Sequence, residues 1–290
     1  MRALILALTL VACHGGREPR PSPDDAGERT PIALTWFGVA GWQLDAGPTT
    51  ILVDPYFSRP DLDAPLVPDP AAIAAHAPAR ADLIVIGHSH VDHVLDAPAV
   101  AAATGAQLVG SESTARLARA SGLPASQVVA VRGGEDIARD GWSVRVIPSL
   151  HSLIGDEWLG GQIAAEPQLP LRFDGYAEGG TLAYLVRIAG HQVLFLGTAN
   201  FIEAELTGLR PDVAVIATGL REKVDDYTCR LMRALGQPPL VYANHFDDWQ
   251  APPVDEPVDD DLRAFVDEVK RCSPKTKVVI PQHFVRMEVP

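Results

Sequence analysis

Three histidines and an aspartate fall within six consecutive positions in the stretch Gly87-His88-Ser89-His90-Val91-Asp92-His93. Imidazole and carboxylate donors at such close spacing suit a divalent metal: Zn²⁺ first, Mn²⁺ or Fe²⁺ where carboxylate weighs more. Neighbouring side chains diverge, so His88 and His90 can reach one ion while Asp92 and His93 turn toward a second. No Gly-x-Ser-x-Gly elbow offers a serine nucleophile instead. The chemistry that follows is hydrolysis by a metal-activated hydroxide.

These donors need a rigid support. Asp82-Leu83-Ile84-Val85-Ile86 is a short, β-branched apolar run ending at a glycine, which predicts a buried strand delivering the histidines from its C-terminal end. Strand ends are where open α/β architectures place their chemistry. Further strands are predicted at 32–37, 42–45, 50–53, 106–109, 128–131 and 142–147, and again at 181–188, 191–196, 213–217, 239–243 and 276–280. Helices are predicted near 111–121, 201–208, 225–236 and 258–271. Periodicity alone therefore gives a mixed α/β chain in two strand-rich halves.

The His-x-His-x-Asp-His run resembles the signature of the metallo-β-lactamase superfamily. The opening segments Leu34–Trp42 and Thr50–Pro55 resemble the branch that holds ascorbate-6-phosphate lactonase and the N-acyl phosphatidylethanolamine phospholipase D enzymes. The resemblance spans roughly residues 31–290 and implies a four-layer αββα sandwich. It assigns His151, after the strand Val144–Pro148, as third ligand of the first metal with His88 and His90. His245, after Val241–Asn244, would complete the second site with Asp92 and His93. Asp54 would support the metal loop by hydrogen bonding, and Asp247 is a candidate carboxylate behind the ligands. Where the second site is empty, Asp92 is free to orient or deprotonate the water. One departure stands out. The family's bridging aspartate is expected after His191–Gly197, but Thr198-Ala199-Asn200 follows. A neutral hydroxyl is a poor bridge between dications. Asn200 offers either a carbonyl oxygen or a turn or helix-cap residue.

Other histidines divide by context. His76, in an Ala-rich helical stretch, and His191, in a hairpin-like turn, read as surface residues. His283, just past the apolar run Val278–Pro281, either assists catalysis by holding substrate or a ligand, or packs as a C-terminal core residue. The longest aperiodic stretch lies between His151 and Thr181. It leaves from a ligand, which favours a flap whose Trp158, Arg172 and Tyr176 touch substrate over a loop that only caps a sheet edge.

A chain of 290 residues can bury one large core, and the even spread of elements favours a single domain over residues 31–290. A net charge of −13 argues against nucleic acid as partner. The acidic cluster from Asp255 to Asp261 reads as a solvated loop and the first turn of a helix. Residues 1–12 have the charged start and short apolar core of a secretory signal. Leu10-Val11-Ala12-Cys13 resembles a bacterial lipobox, which implies acylation at Cys13, a flexible spacer through residue 30 and a place in the cell envelope. Cys229 and Cys272 remain; an oxidising compartment would let them pair, with two separate buried thiols as the default reading. The resemblance to the metallo-β-lactamase superfamily implies a small-molecule lactone, amide or phosphodiester as substrate. A phospholipid-type phosphodiesterase and a non-catalytic metal-binding protein are the alternatives.

Overall fold

The computed structural model describes residues 29–155, 159–165, 167–254 and 258–290. The leader, Cys13, most of the spacer, Trp158 and Asp255–Pro257 lie outside the described residues. Among the described residues, fourteen strands build two seven-stranded sheets. The first holds β1 (Ile32–Gly38), β2 (Gly41–Ala46), β3 (Thr49–Val53), β4 (Leu83–Val85), β5 (Gln107–Gly110) and β6 (Val128–Ala130) in sequence order. The second runs from β7 (Asp136–Arg139) and β8 (Trp142–Pro148) through β9 (Leu182–Ile188), β10 (His191–Leu196) and β11 (Val213–Ala217) to β12 (Leu240–Asn244) and β13 (Lys277–Val279). The last strand, β14 (Arg286–Val289), crosses back to pair antiparallel with β1. The sheets therefore do not divide the chain into halves: β7 and β8 belong with the later strands.

Helices cover both outer faces. α1 (Pro70–His76), α2 (Val91–Val94), α3 (Ala97–Thr104) and α4 (Glu112–Ala120) belong to the first sheet's half; α5 (Glu203–Leu206), α6 (Tyr227–Ala234) and α7 (Asp260–Cys272) pack on the second. Alternation explains why the central strands read as continuous apolar runs. In β3, Ile51 and Val53 face the other sheet while Leu52 faces helices; β4 repeats this with Leu83, Val85 and Ile84. In β11, Val213 and Val215 point between the sheets and Ala214 and Ile216 toward α5–α7. Both faces of each strand are dry, so both must be apolar. The three resulting cores separate four layers, the expected αββα sandwich.

Local signals set the helix starts. Ser111 caps α4 by accepting from Thr114 N, and Asp259 caps α7 by accepting from Leu262 N, with Asp260 and Asp261 in the first turn. The described part of the acidic cluster thus serves a helix N-terminus. Cys229 on α6 and Cys272 on α7 form a disulfide with Cα atoms 5.2 Å apart, which replaces the expectation of two separate thiols. His191 is also corrected. It is buried, bonded through Nδ1 to Asp212 (2.9 Å) and through Nε2 to the Thr30 carbonyl (3.1 Å). His76 is exposed, as expected, and stacks on Phe284.

Candidate metal centre

Every proposed ligand, and the two residues Asp54 and Thr198 that stand behind them, follows the C-terminal end of a strand: Asp54 after β3, His88 to His93 after β4, His151 after β8, Thr198 after β10 and His245 after β12. β3 and β4 run parallel, as do β10, β11 and β12, so their ends converge on one edge of the sandwich.

The first cluster is compact. His88 Nε2 lies 3.1 Å from His90 Nδ1 and 3.1 Å from His151 Nε2. Backbone carbonyls engage the opposite nitrogens: His90 Nε2 faces Leu159 O at 3.3 Å, and His151 Nδ1 donates to Ser152 O at 2.8 Å. Those bonds fix the tautomers and leave bare nitrogens pointing inward. Ligands about 2.0–2.1 Å from a tetrahedral zinc stand roughly 3.3 Å apart, near the separation seen. Burial, with the neighbouring histidines, lowers the pKa of His88 well below the ordinary imidazole value. His90 is likewise lowered by burial, and His151 is pushed down to about 4. Neutral imidazole is the form that binds metal.

The second cluster surrounds Asp92. Its Oδ2 lies 3.3 Å from His245 Nε2 and 3.6 Å from His93 Nε2. Burial alone would raise the Asp92 pKa, but His93 and the hydrogen bond with His245 outweigh it and hold the carboxyl ionised. Donor atoms of His88, Asp92 and His93 all lie within 4.8 Å of one another, so the two clusters abut through His88. His93 Nε2 is buried without a hydrogen-bond partner. An orphaned ring nitrogen facing a carboxylate costs stability in a bare protein; the donor set fits a metal.

Asp54 carries the loop. Its Oδ1 accepts from Gly87 N at 2.6 Å and its Oδ2 from His93 Nδ1 at 2.8 Å, the latter turning Nε2 toward Asp92. A Cβ at Gly87 or at Gly197 would approach Asp54 Oδ2 to 3.0 Å, so these glycines leave room for the carboxylate. Asp54 (φ 43°) and His245 (φ 51°) both hold left-handed backbone, a strain that the surrounding bonds must maintain.

Thr198 and Asn200 serve the His151 loop. Thr198 Oγ1 accepts from Ser152 N at 3.0 Å, and Asn200 Nδ2 donates to His151 O at 3.0 Å. The Asn200 side-chain oxygen accepts from Phe201 N, and Ile202 occupies the cap position of α5, so Asn200 is neither cap nor placed as a ligand. Asp247 is tied down by Val39 N (2.8 Å), His283 Nε2 (3.2 Å) and Arg59 (3.7 Å). The bond with His283, the charge of His245 and the other partners keep its pKa low although burial opposes this.

A cavity of about 360 Å³ opens over both clusters. Its walls include Leu159, Phe173 and Tyr176 from the long irregular segment, and Leu220, Phe246 and Trp249 from the far side. That segment is bolted to the metal loop by Ser89 N to Glu178 O (2.9 Å) and Ser89 Oγ to Ala177 O (2.7 Å). It walls the site, but Arg172 stands apart from the cavity. Arg172 donates to Asp63 O at 3.0 Å and does not line the cavity, because the nearby loop carbonyl captures its guanidinium. Tyr176 lines the cavity yet is buried in the core under the first sheet's helices, and burial raises its pKa to about 12. His283 stands behind Asp247, stacked on Trp36 at 4.2 Å and bonded through Nε2 to the Asp247 carboxylate, and does not line the metal cavity. Trp249, which stacks against Phe173, escaped the sequence reading; it follows His245 by four residues, which was the available signal.

A family model described as "Beta-lactamase superfamily domain" matches residues 49–237. A metal-dependent hydrolase of Methanosphaerula palustris is 28% identical over 258 residues, covering 86% of this chain and 97% of that protein. One of Myxococcus xanthus is 26% identical over 266 residues, covering 89% and 83%. Among solved structures, the metallo hydrolase Igni18 of Ignicoccus hospitalis superposes with TM-score 0.61 at 18% identity, covering 90% of this chain and 99% of its own. An isothiocyanate hydrolase from Delia radicum gut bacteria gives TM-score 0.56 at 19% identity, covering 88% and 98%.

Proposed function

The chain belongs to the beta-lactamase superfamily and is a metal-dependent hydrolase, and on that premise we propose that its substrate is a small, neutral carbonyl compound, a lactone or an amide. One observation carries the choice. Among the described residues, the charged side chains lining the cavity besides its histidines are acidic: Asp92, Asp247, Asp259 and Asp261. The rest of the wall is largely apolar, with Val91, Ile154, Leu159, Leu220, Phe246 and Trp249. A phosphodiester would bring a further anion to that lining, where the nearby arginines, Arg59 and Arg221, are already paired with Asp247 and Asp261, so that only the metal would receive it. A neutral carbonyl carries no such penalty.

His88, His90 and His151 would hold the first metal, and Asp92, His93 and His245 a second. When bound, such an ion acidifies water and polarises the scissile oxygen. The chain's own residues do the rest. Where the second site is empty, Asp92, kept ionised, would accept a hydrogen bond from the attacking water and aim it. Asp54 and Asn200 fix the two ligand loops. The apolar walls exclude bulk water, which strengthens each polar contact inside. His245, whose side chain is 24% exposed, is the most open of the six candidate ligands.

The same reading places the protein in the bacterial cell envelope, tethered at Cys13. The Cys229–Cys272 disulfide supports it, because such bonds persist in oxidising compartments. A Cys13→Ser chain that still partitions with membranes would contradict the tether. For the chemistry, matched lactone, amide and phosphodiester substrates should be turned over with and without chelator. Chelator-sensitive cleavage of the neutral substrates is expected; cleavage of the phosphodiester alone would overturn the proposal in favour of a phospholipid-type phosphodiesterase.

A further inference from the structure

A second hollow, of about 350 Å³, lies against the metal cavity and shares Phe246, Asp247 and Asp259 with it as a common wall. Its other sides are mostly aliphatic: Val254, Leu262, Ile280, Val285 and Met287. The two acids of the shared wall are occupied. Asp247 is held by Val39, His283 and Arg59, and Asp259 accepts from Leu262 N at the start of α7. The groove is chiefly apolar, with Gln282 and His283 as its further polar lining, and is floored by Phe246 stacked on Trp36 with ring centres 4.7 Å apart.

The distribution of exposed apolar side chains points to the same region. Among the described residues the large hydrophobics left open to solvent are Val67, Leu150, Leu153, Leu169, Val254 and Val285. Val254 (60% exposed) and Val285 (45%) rim this groove, and Leu150 and Leu153 flank residues that line the metal cavity. In a chain with net charge −13, apolar exposure gathered around an active-site opening marks a binding surface.

We propose that the groove beside Phe246 binds an alkyl chain of the substrate, making the substrate a neutral amphiphile whose carbonyl sits over the histidines while its chain runs past Phe246 toward Val254 and Val285. The proposal rests on the neutral-carbonyl reading for the head and on the groove for the tail. The hollows adjoin at Phe246, Asp247 and Asp259, so a chain leaving the metal cavity would cross that shared wall to reach the groove.

Chain-length dependence tests this. With γ-lactones from γ-hexalactone to γ-dodecalactone, kcat/KM should rise by up to about fourfold for each methylene the groove buries, mainly through KM. Val254→Asp and Val285→Asp, both at exposed positions, should lower the ratio of kcat/KM for dodecalactone over hexalactone at least tenfold. Val67→Asp, on an exposed apolar position away from the groove, should leave that ratio as it is. A flat chain-length profile in the wild-type protein, or an unchanged ratio in both groove variants, overturns the proposal while lactone hydrolysis itself stands. Decanol binding, followed by intrinsic tryptophan fluorescence, separates the two readings. If no lactone is cleaved but decanol binds and Val285→Asp weakens it, the tail site holds and the lactone assignment fails; if decanol does not bind, the tail site is wrong.

Discussion

Asp54 offers the sharpest test of how the metal loop is held, because one buried carboxylate receives two bonds from different parts of that loop. Asp54→Asn keeps the shape but can accept with only one oxygen, so either Gly87 N–H or His93 Nδ1–H faces an amide hydrogen. One buried donor left unsatisfied costs about 1–3 kcal/mol. Asp54→Ala abandons both, for about 2–6 kcal/mol in total. The effect on metal is separate: loss of the partner that orients a ligating histidine typically lowers affinity about 10–100-fold. It should appear at the centre containing His93 before the one built from His90 and His151, whose rings are fixed by carbonyls of their own. Denaturant unfolding of the metal-free variants and stepwise metal titration measure the two effects independently. Asp54→Asn with wild-type affinity at both steps would refute the assignment of Asp54 as the support of the loop.

Three further outcomes follow from the geometry. Thr198→Asp should raise occupancy of the second metal centre, since one carboxylate oxygen can keep the bond from Ser152 N while the other faces the ions; equally tight binding of two metals in the wild-type protein would show that no added anion is needed. In the metal-free protein His151, with its pKa lowered from about 6.5 to about 4, favours folding at neutral pH. As pH falls from 6.5 to 4 the unfolded chain binds the proton first, so stability should drop by about 3 kcal/mol from this residue. His88 and His90 act in the same sense and His93, whose pKa is raised by Asp54 and Asp92 against burial, in the opposite one; urea unfolding at pH 7 and pH 4.5 that gives equal stability would contradict this. Tyr176→Ala should cost about 3–5 kcal/mol, as truncation of a core aromatic does, and a variant with unchanged thermal stability would return Tyr176 to the role of a mobile flap residue.

The sequence made the metal centre legible because its donors are local. Four lie in one loop, and the others each follow an apolar strand whose end can be read from composition. The central strands were equally legible, since burial on both faces leaves an unbroken apolar run. Edge elements were not. β7 and β14 carry Asp136, Arg139, Arg286 and Glu288 on exposed positions, which breaks the strand pattern, and α3 is so rich in alanine that no periodicity marks a face. Long-range partners were the other blind spot. His191 is buried because Asp212, 21 residues away, hydrogen-bonds its Nδ1, and Arg172 is diverted by Asp63, 109 residues before it. The roles of Thr198 and Asn200 in holding the His151 loop depend on contacts about fifty residues apart in the chain.

The central claim, that the converging nitrogens of His88, His90 and His151 form a metal site, is tested most directly by elemental analysis of protein purified without added metal, alongside His90→Ala. The wild-type protein should carry at least one tightly bound transition metal, zinc first, that survives dialysis, and His90→Ala should lose most of it while remaining folded. Equal metal content in the two proteins would contradict the account.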